Sequence, residues 1–156
     1  MRWRFLVAAC ALGCGGGGAP TPYLLDGGHL ATTGAAFVAQ RGCPTCHEPS
    51  DHAGTLAGQL TPVAGTQAYG SNLTPDPATG LGMWADIEIV RAIRFGVDNS
   101  GAPLCPAMPQ YPDMGDVEAD AIVAYLHSLP PVSRMIPASM CPPIKPVPSS
   151  DMATSN

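Results

Sequence analysis

The sequence predicts an all-α domain of three main helices, whose long connecting loops close around something large and apolar instead of an aromatic core. Three observations predict it. Apolar residues recur at helical spacing in three stretches, 31–42, 84–95 and 116–129, and no segment alternates as a half-buried strand does. Aromatics are only 6% of 156 residues although apolar types make up 46%, and Gly and Pro supply 18 each, which suits a loop-rich shell more than a self-sufficient core. The third observation names the filling. Cys43-Pro44-Thr45-Cys46-His47 is a Cys-x-x-Cys-His run, the attachment signature of c-type haem: two thiols one helical turn apart add across the porphyrin vinyl groups, and the adjacent imidazole ligates the iron. A thioredoxin-like redox pair and half of a zinc site compete for the same residues. Zinc needs a second ligand pair nearby, and a redox pair should follow a strand, whereas residues 34–41 read as helix.

From the N-terminus, Met1-Arg2-Trp3-Arg4 is a cationic start, and Phe5 to Leu12 is an apolar stretch too short to span a bilayer, so the pair reads as an export signal. Covalent haem attachment agrees with export to the periplasm. Ala11-Leu12-Gly13-Cys14 resembles a bacterial lipoprotein processing site, which makes Cys14 the lipidated first residue. Cys10 is a weaker competitor, and ordinary cleavage around Ala19-Pro20 is the other reading. Residues 1–14 are thus the signal, and 15–30, with Gly15 to Gly18, Pro20 and Pro22, a flexible tether that holds an exposed His29. Formal net charge is −5, and losing Arg2 and Arg4 makes the chain more acidic. That balance argues against nucleic acid and for a redox partner with a basic docking patch.

The first helix, over 31–42, takes Thr32 or Thr33 as N-cap, buries Phe37 and Val38, and ends at Arg41 and Gly42. Residues 48–82 carry Pro49, Pro62, Pro75, Pro77 and many Gly with no sustained period. A structureless loop of that length fits a compact domain only if it wraps a cofactor. The second helix, 84–95, has Ile89, Val90 and Ile93 as its stripe, acidic Asp86 and Glu88 in the first turn, and Gly96 as terminator. Arg91 and Arg94 read as a solvated face. Asp98-Asn99-Ser100-Gly101 is a turn. The third helix, 116–129, places Ile122, Tyr125, Leu126 and Leu129 at core spacing and stops at Pro130-Pro131. A Pro-rich tail over 133–156 is expected to be extended over the domain or disordered.

If His47 holds one side of the iron, the other side decides between electron carriage and small-molecule binding. The candidate is Met108 in Leu104-Cys105-Pro106-Ala107-Met108-Pro109. Two prolines fix the backbone around a weak thioether ligand. Met83, Met114, Met135 and Met140 lack that framing, His52 is close to the attachment peptide, and His127 sits on an exposed helix face.

With these residues in place the chain resembles class I cytochromes c, and most closely the haem domains of cytochrome subunits of membrane-bound alcohol and gluconate dehydrogenases. The shared text is Gly34 to His47, Ser71 to Gly80 with Asn-Leu-Thr-Pro-Asp, Trp84, Gly101 to Pro109 with Tyr111, and Ala121 to Val132. The resemblance covers 31–132. It implies a haem-binding fold whose first and last helices cross through Phe37 and Tyr125, with His47 and Met108 as axial ligands of one covalent haem c. Ala85 departs from a Ser that often caps the second helix, and Asp86 is the expected substitute. The larger departure is length, since those subunits carry three haem domains and this chain has one.

Cys105 and Cys141 remain after the leader and haem cysteines are set aside, and in an oxidising compartment they are expected to pair. Ile89, Val90, Ile93 and Leu104 are candidates for the apolar wall of the haem pocket, and Trp84, Tyr69 and Asn72 for hydrogen bonds to a propionate. The reading is an exported monohaem electron carrier, membrane-anchored through lipid, that makes no substrate bond. Two alternatives stay open: a five-coordinate haem sensor or peroxidase-like enzyme, and an obligate electron-transfer subunit of a dehydrogenase or oxidase.

Overall fold

Helical periodicity becomes four helices in the computed structural model, which describes residues 27–141: α1 (Gly27–Gln40), the single turn α2 (Pro44–His47), α3 (Asp86–Phe95) and α4 (Asp116–Ser128). The signal and its cysteines, most of the tether and residues 142–156 lie outside the described residues. Among those described there is no strand, only an isolated bridge between Val97 and Pro103. No helix among them is long and apolar enough to cross a membrane.

Helix α1 begins at Gly27, inside the expected tether. Thr32 is therefore not its N-cap: it lies a turn inside the helix, and its hydroxyl donates to the Gly28 carbonyl at 2.9 Å. Gly27 and Gly28 are helical and exposed despite their low propensity, while the packing that stabilises α1 lies farther along, at Gly34 and Val38. A close backbone approach in that packing is at Gly34, beside the positions of Phe37 and Tyr125 that the sequence singles out. A Cβ at Gly34 would overlap the Ala121 carbonyl and stand 2.8 Å from the Tyr125 Cβ. Phe37 and Tyr125 flank the crossing, half-buried against the core.

Helix α4 buries Ala119, Ala121, Ile122, Val123 and Leu126, more than one stripe, because α1 and α3 both pack on it. Helix α3 supplies Ile89 and Val90 to the same core, which Leu56, Leu81 and Met114 complete from the loops. It starts at Asp86, with Ala85 at the N-cap. Ala85 has no side-chain acceptor, and the Glu88 carboxylate supplies the cap by accepting the Ala85 N–H at 2.9 Å. Asp86, the expected substitute, instead lies 2.9 Å from His127 Nε2 on α4. Gly96 ends α3 in the left-handed region, φ +63°, as a glycine C-cap does.

Arg91 and Arg94 do not form a solvated face. Arg91 donates to the Asp98 carbonyl at 2.6 Å, and Arg94, only 17% exposed, pairs with Asp116 at 2.8 Å. Their heads tie α3 to the following turn and to α4. A second tie joins α1 to α4. Arg41 makes a two-pronged ion pair with Glu118 at 2.6 and 2.8 Å and lies over the Tyr111 ring at 5.0 Å, while the Tyr111 hydroxyl donates to the Arg41 carbonyl at 3.1 Å.

Residues 132–141 run extended along the loop 51–79 as a strap, so the tail forms part of the domain as far as Cys141. Val132 and Arg134 N–H groups donate to the Thr74 and Thr79 hydroxyls at 3.1 and 2.9 Å. The Arg134 side chain pairs with both oxygens of Asp51 at 3.0 and 2.9 Å. Farther on, Ser139 Oγ accepts from Tyr69 N–H at 2.9 Å, and Met140 N–H donates to the Gln67 carbonyl at 3.0 Å.

Two outcomes follow from this packing. Replacing a mid-helix Gly by Ala ordinarily gains about 1 kcal/mol; Gly34→Ala should instead lose about 2 kcal/mol or more in denaturant unfolding, since overpacked backbone must move. Unchanged or raised stability would place the crossing elsewhere. The Arg41 guanidinium holds the Glu118 carboxyl below its ordinary value of 4.5, so the pair's stabilisation is complete above that value and is lost as pH falls through the lower folded one. Glu118→Gln should therefore flatten the fall in stability between about pH 5 and about pH 3, and parallel wild-type and variant curves would show that the pair contributes nothing.

Candidate functional site

The attachment motif is delivered by the way α1 ends. Gly42, at φ +72°, turns the chain in a Schellman motif: Cys43 N–H donates to the Val38 carbonyl at 3.2 Å and Gly42 N–H to Ala39 at 3.1 Å. Cys43 is the residue just past that cap, packed against the core. Pro44 then opens α2, where its missing N–H costs nothing. The turn separates Cys43 from Cys46, and His47 closes it. Both thiols are half-buried and carry no disulfide.

His47 is 8% exposed, and burial pushes its imidazole below the ordinary value, so the ring is neutral near pH 7. Its Nδ1 lies 2.8 Å from the Ser71 carbonyl. A carbonyl can only accept, so Nδ1 carries the hydrogen and Nε2 keeps a free lone pair, the arrangement that orients a histidine for a metal. The Ser71 carbonyl is held by close backbone packing. Gly58 N–H donates to the His47 carbonyl at 2.8 Å, Gln59 N–H to the Gly70 carbonyl at 3.0 Å, and Leu73 N–H to the Leu56 carbonyl at 2.9 Å. Gly70 must be glycine, because a Cβ there would overlap the Cys46 carbonyl. Leu56 holds φ +55°, an uncommon state for a branched side chain, and its complete burial over-determines it.

Met108 sits half-buried in a turn, its N–H donating to the Cys105 carbonyl at 3.0 Å. Both ends of its loop are fastened to the last turn of α3: Leu104 N–H donates to Gly96 at 2.7 Å and Tyr111 N–H to Ile93 at 3.1 Å. Tyr111 also reaches the end of α1 through its hydroxyl. Burial pushes the Tyr111 phenol up, and the Arg41 carbonyl that its hydroxyl reaches lies two residues before Cys43. Cys105 is bonded to Cys141, their Cα atoms 5.5 Å apart.

The haem-edge candidates fare differently. Asn72 is 2% exposed, and its whole amide is taken: Nδ2 donates to the Val132 carbonyl at 2.8 Å and Thr79 Oγ1 at 3.1 Å, while Oδ1 accepts from Thr74 N–H and Oγ1 at 3.0 and 2.8 Å. Its hydrogen bonds serve the strap and leave none for a propionate. Tyr69 is half-buried beside Ser139 of the strap, and Trp84 packs its indole against the core two residues before α3. Ile89 and Val90 are buried, with Ile93 and Leu104 partly so. Ser71, Gly70 and Leu56 carry no side-chain signal in the sequence, because each acts through its backbone.

The donor set fits a covalent haem. Burial pushes the Cys43 thiol up, opposite to the low value a redox-active dithiol needs. Among the described residues no group of three or more His, Cys, Asp or Glu could hold a zinc ion. What remains is two thiols one turn apart and a neutral imidazole with its outer nitrogen fixed, as haem c attachment requires.

Comparisons with known proteins agree. A subunit of the nicotinate dehydrogenase of Pseudomonas putida is 33% identical over 108 residues, 68% of this chain and 9% of that protein. The cytochrome c subunit of the quinone alcohol dehydrogenase of Gluconacetobacter polyoxogenes is 36% identical over 142 residues, 86% of this chain and 29% of its own. The gluconate 2-dehydrogenase cytochrome c subunit of Pantoea cypripedii is 36% identical over 105 residues, covering 63% of this chain and 23% of that subunit. The chain thus spans less than a third of the length of these relatives. Residues 29–126 match the family model described as cytochrome c oxidase, cbb3-type, subunit III, so the chain belongs to that family of cytochrome c domains.

Proposed function

We propose that this domain is an exported electron carrier with one haem c, attached through Cys43 and Cys46 and ligated by His47 and Met108. The observation that carries the reading is the His47 Nδ1 hydrogen bond to the Ser71 carbonyl, which leaves Nε2 free at the end of the attachment turn. A bound haem supplies a one-electron Fe(III)/Fe(II) couple. The chain's part is to hold two ligands still: His47 through backbone packing at Gly70, and Met108 through a loop pinned to α1 and α3. Thioether ligation and apolar walls from Ile89 and Val90 favour the ferrous charge and raise the potential. The single Cys-x-x-Cys-His in the sequence supports one haem. The leader supports export, and Cys14 is the proposed lipid anchor at the periplasmic membrane face.

A second reading has a specific support. Relatives named as cytochrome subunits of alcohol, gluconate and fructose dehydrogenases make a dehydrogenase the donor to consider first, with this chain as its subunit or as a separate acceptor. Co-purification with a larger dehydrogenase protein supports the subunit form, and recovery of the cytochrome alone supports a free carrier.

The denatured protein should keep its haem and show a mass increased by one haem; loss of colour on denaturation, or a second haem mass, contradicts the reading. Cys46→Ala or His47→Ala should leave a largely unfolded chain, because the loops have too few core residues to fold around nothing. A well-dispersed NMR spectrum from haem-free protein would overturn that expectation.

A further inference from the structure

The strap over 132–141 touches the loops on both sides of the proposed iron site. Along most of its length it is fastened to the loop that orients His47. Asn72 and Thr74, one and three residues after Ser71, bind Val132 at its carbonyl and its N–H at 2.8 and 3.1 Å, and Thr79, Tyr69 and Gln67 hold Arg134, Ser139 and Met140. Arg134 adds the two-pronged pair with Asp51, four residues beyond His47. At its far end the strap is bonded covalently to Cys105, whose carbonyl accepts the Met108 N–H at 3.0 Å. One chain segment therefore connects the carbonyl support of His47 with the turn that carries Met108.

We infer that Cys105 and Cys141 are positioning residues for Met108: their disulfide anchors the methionine turn to the histidine-side loop and keeps the thioether on the iron. This rests on the ligation proposed above. The physical case is one of constraint. The turn's other fixed points, Leu104 to Gly96 and Tyr111 to Ile93, lie outside it, and the residues between 105 and 110 include two prolines and no other described backbone tie than Met108 to Cys105. A thioether is a weak ligand, and small displacements release it. Without the disulfide the turn between Leu104 and Tyr111 keeps its ties to α3 but loses its bond to the strap, so Met108 would gain room to leave the iron and an added diatomic ligand could take its position. Ser or Ala at Cys105 and Cys141 removes this tie and leaves the attachment residues Cys43, Cys46 and His47 unchanged.

The test uses the full-length holoprotein. The ferric wild type and the double variant Cys105→Ser/Cys141→Ser are compared for the long-wavelength absorption band of thioether-to-ferric-iron ligation, and for carbon monoxide uptake once reduced. The expected result is a band in the wild type that falls at least several-fold in the variant, with carbon monoxide binding gained. A second arm needs no variant. Wild type reduced with ascorbate, which spares disulfides, is compared with wild type treated with ascorbate plus a water-soluble phosphine. The phosphine becomes its oxide with the oxygen of one water, and the disulfide takes two electrons and two protons to give two thiols. Carbon monoxide uptake only after phosphine supports the inference. Equal bands and equal uptake in both arms overturn it. A wild type that lacks the band from the start instead overturns the proposed His47 and Met108 ligation itself.

Discussion

Everything on the haem side of this molecule depends on the backbone of α1 lying directly against that of α4 at Gly34. Any side chain there would strike the Ala121 carbonyl, so the helices meet at a distance only glycine permits. From that crossing α1 runs to the start of the site: the Gly42 turn leads into Cys43, and Arg41 reaches Glu118 on α4 and Tyr111 beyond Met108. The Met108 loop is fastened to the end of α3 and, through Tyr111, to the residue just past α1. Small residues carry the geometry, and larger ones such as Phe37 and Tyr125 fill in around them.

Once the thiols are placed, two backbone devices finish the site. Gly70 lets the loop 56–73 run against Cys46 and offer the Ser71 carbonyl to His47, and Gly96 turns the chain from α3 into the segment that presents Met108. Neither device requires a large core. This is consistent with a composition poor in aromatics and rich in Gly and Pro, in which ordered loops take the place of packed layers. The buried Asn72 shows how such loops are held. Both polar atoms of its amide have partners, as low-dielectric surroundings require.

Much of this is legible in the residues themselves. The attachment motif, the Pro-framed Met108, the three helices and their terminators at Gly42, Gly96 and Pro130 all follow from spacing and from the special backbone chemistry of Gly and Pro. The departures share one cause, since periodicity cannot show what a surface position touches. Arg91 and Arg94 read as solvated because charged residues usually are, yet tertiary partners at Asp98 and Asp116 hold them in place. Thr32 reads as a cap because Gly27 and Gly28 argue against helix, yet the helix runs through both. Asn72 reads as a cofactor contact because it stands in a motif, while its amide serves residues 60 positions away. Ser71 and Gly70 act through backbone atoms and leave no side-chain trace to read.

The proposal on which the rest turns is that His47 and Met108 would together hold the iron of one haem. Proton NMR of the reduced, diamagnetic protein with labelled methionine methyls tests it most directly. A methyl held on the iron lies above the porphyrin plane and is driven far upfield by the ring current. The predicted result is one such resonance, lost in Met108→Leu while the other labelled methyls stay near their ordinary positions. A folded, haem-bearing protein whose methionine methyls all resonate at ordinary positions would contradict it.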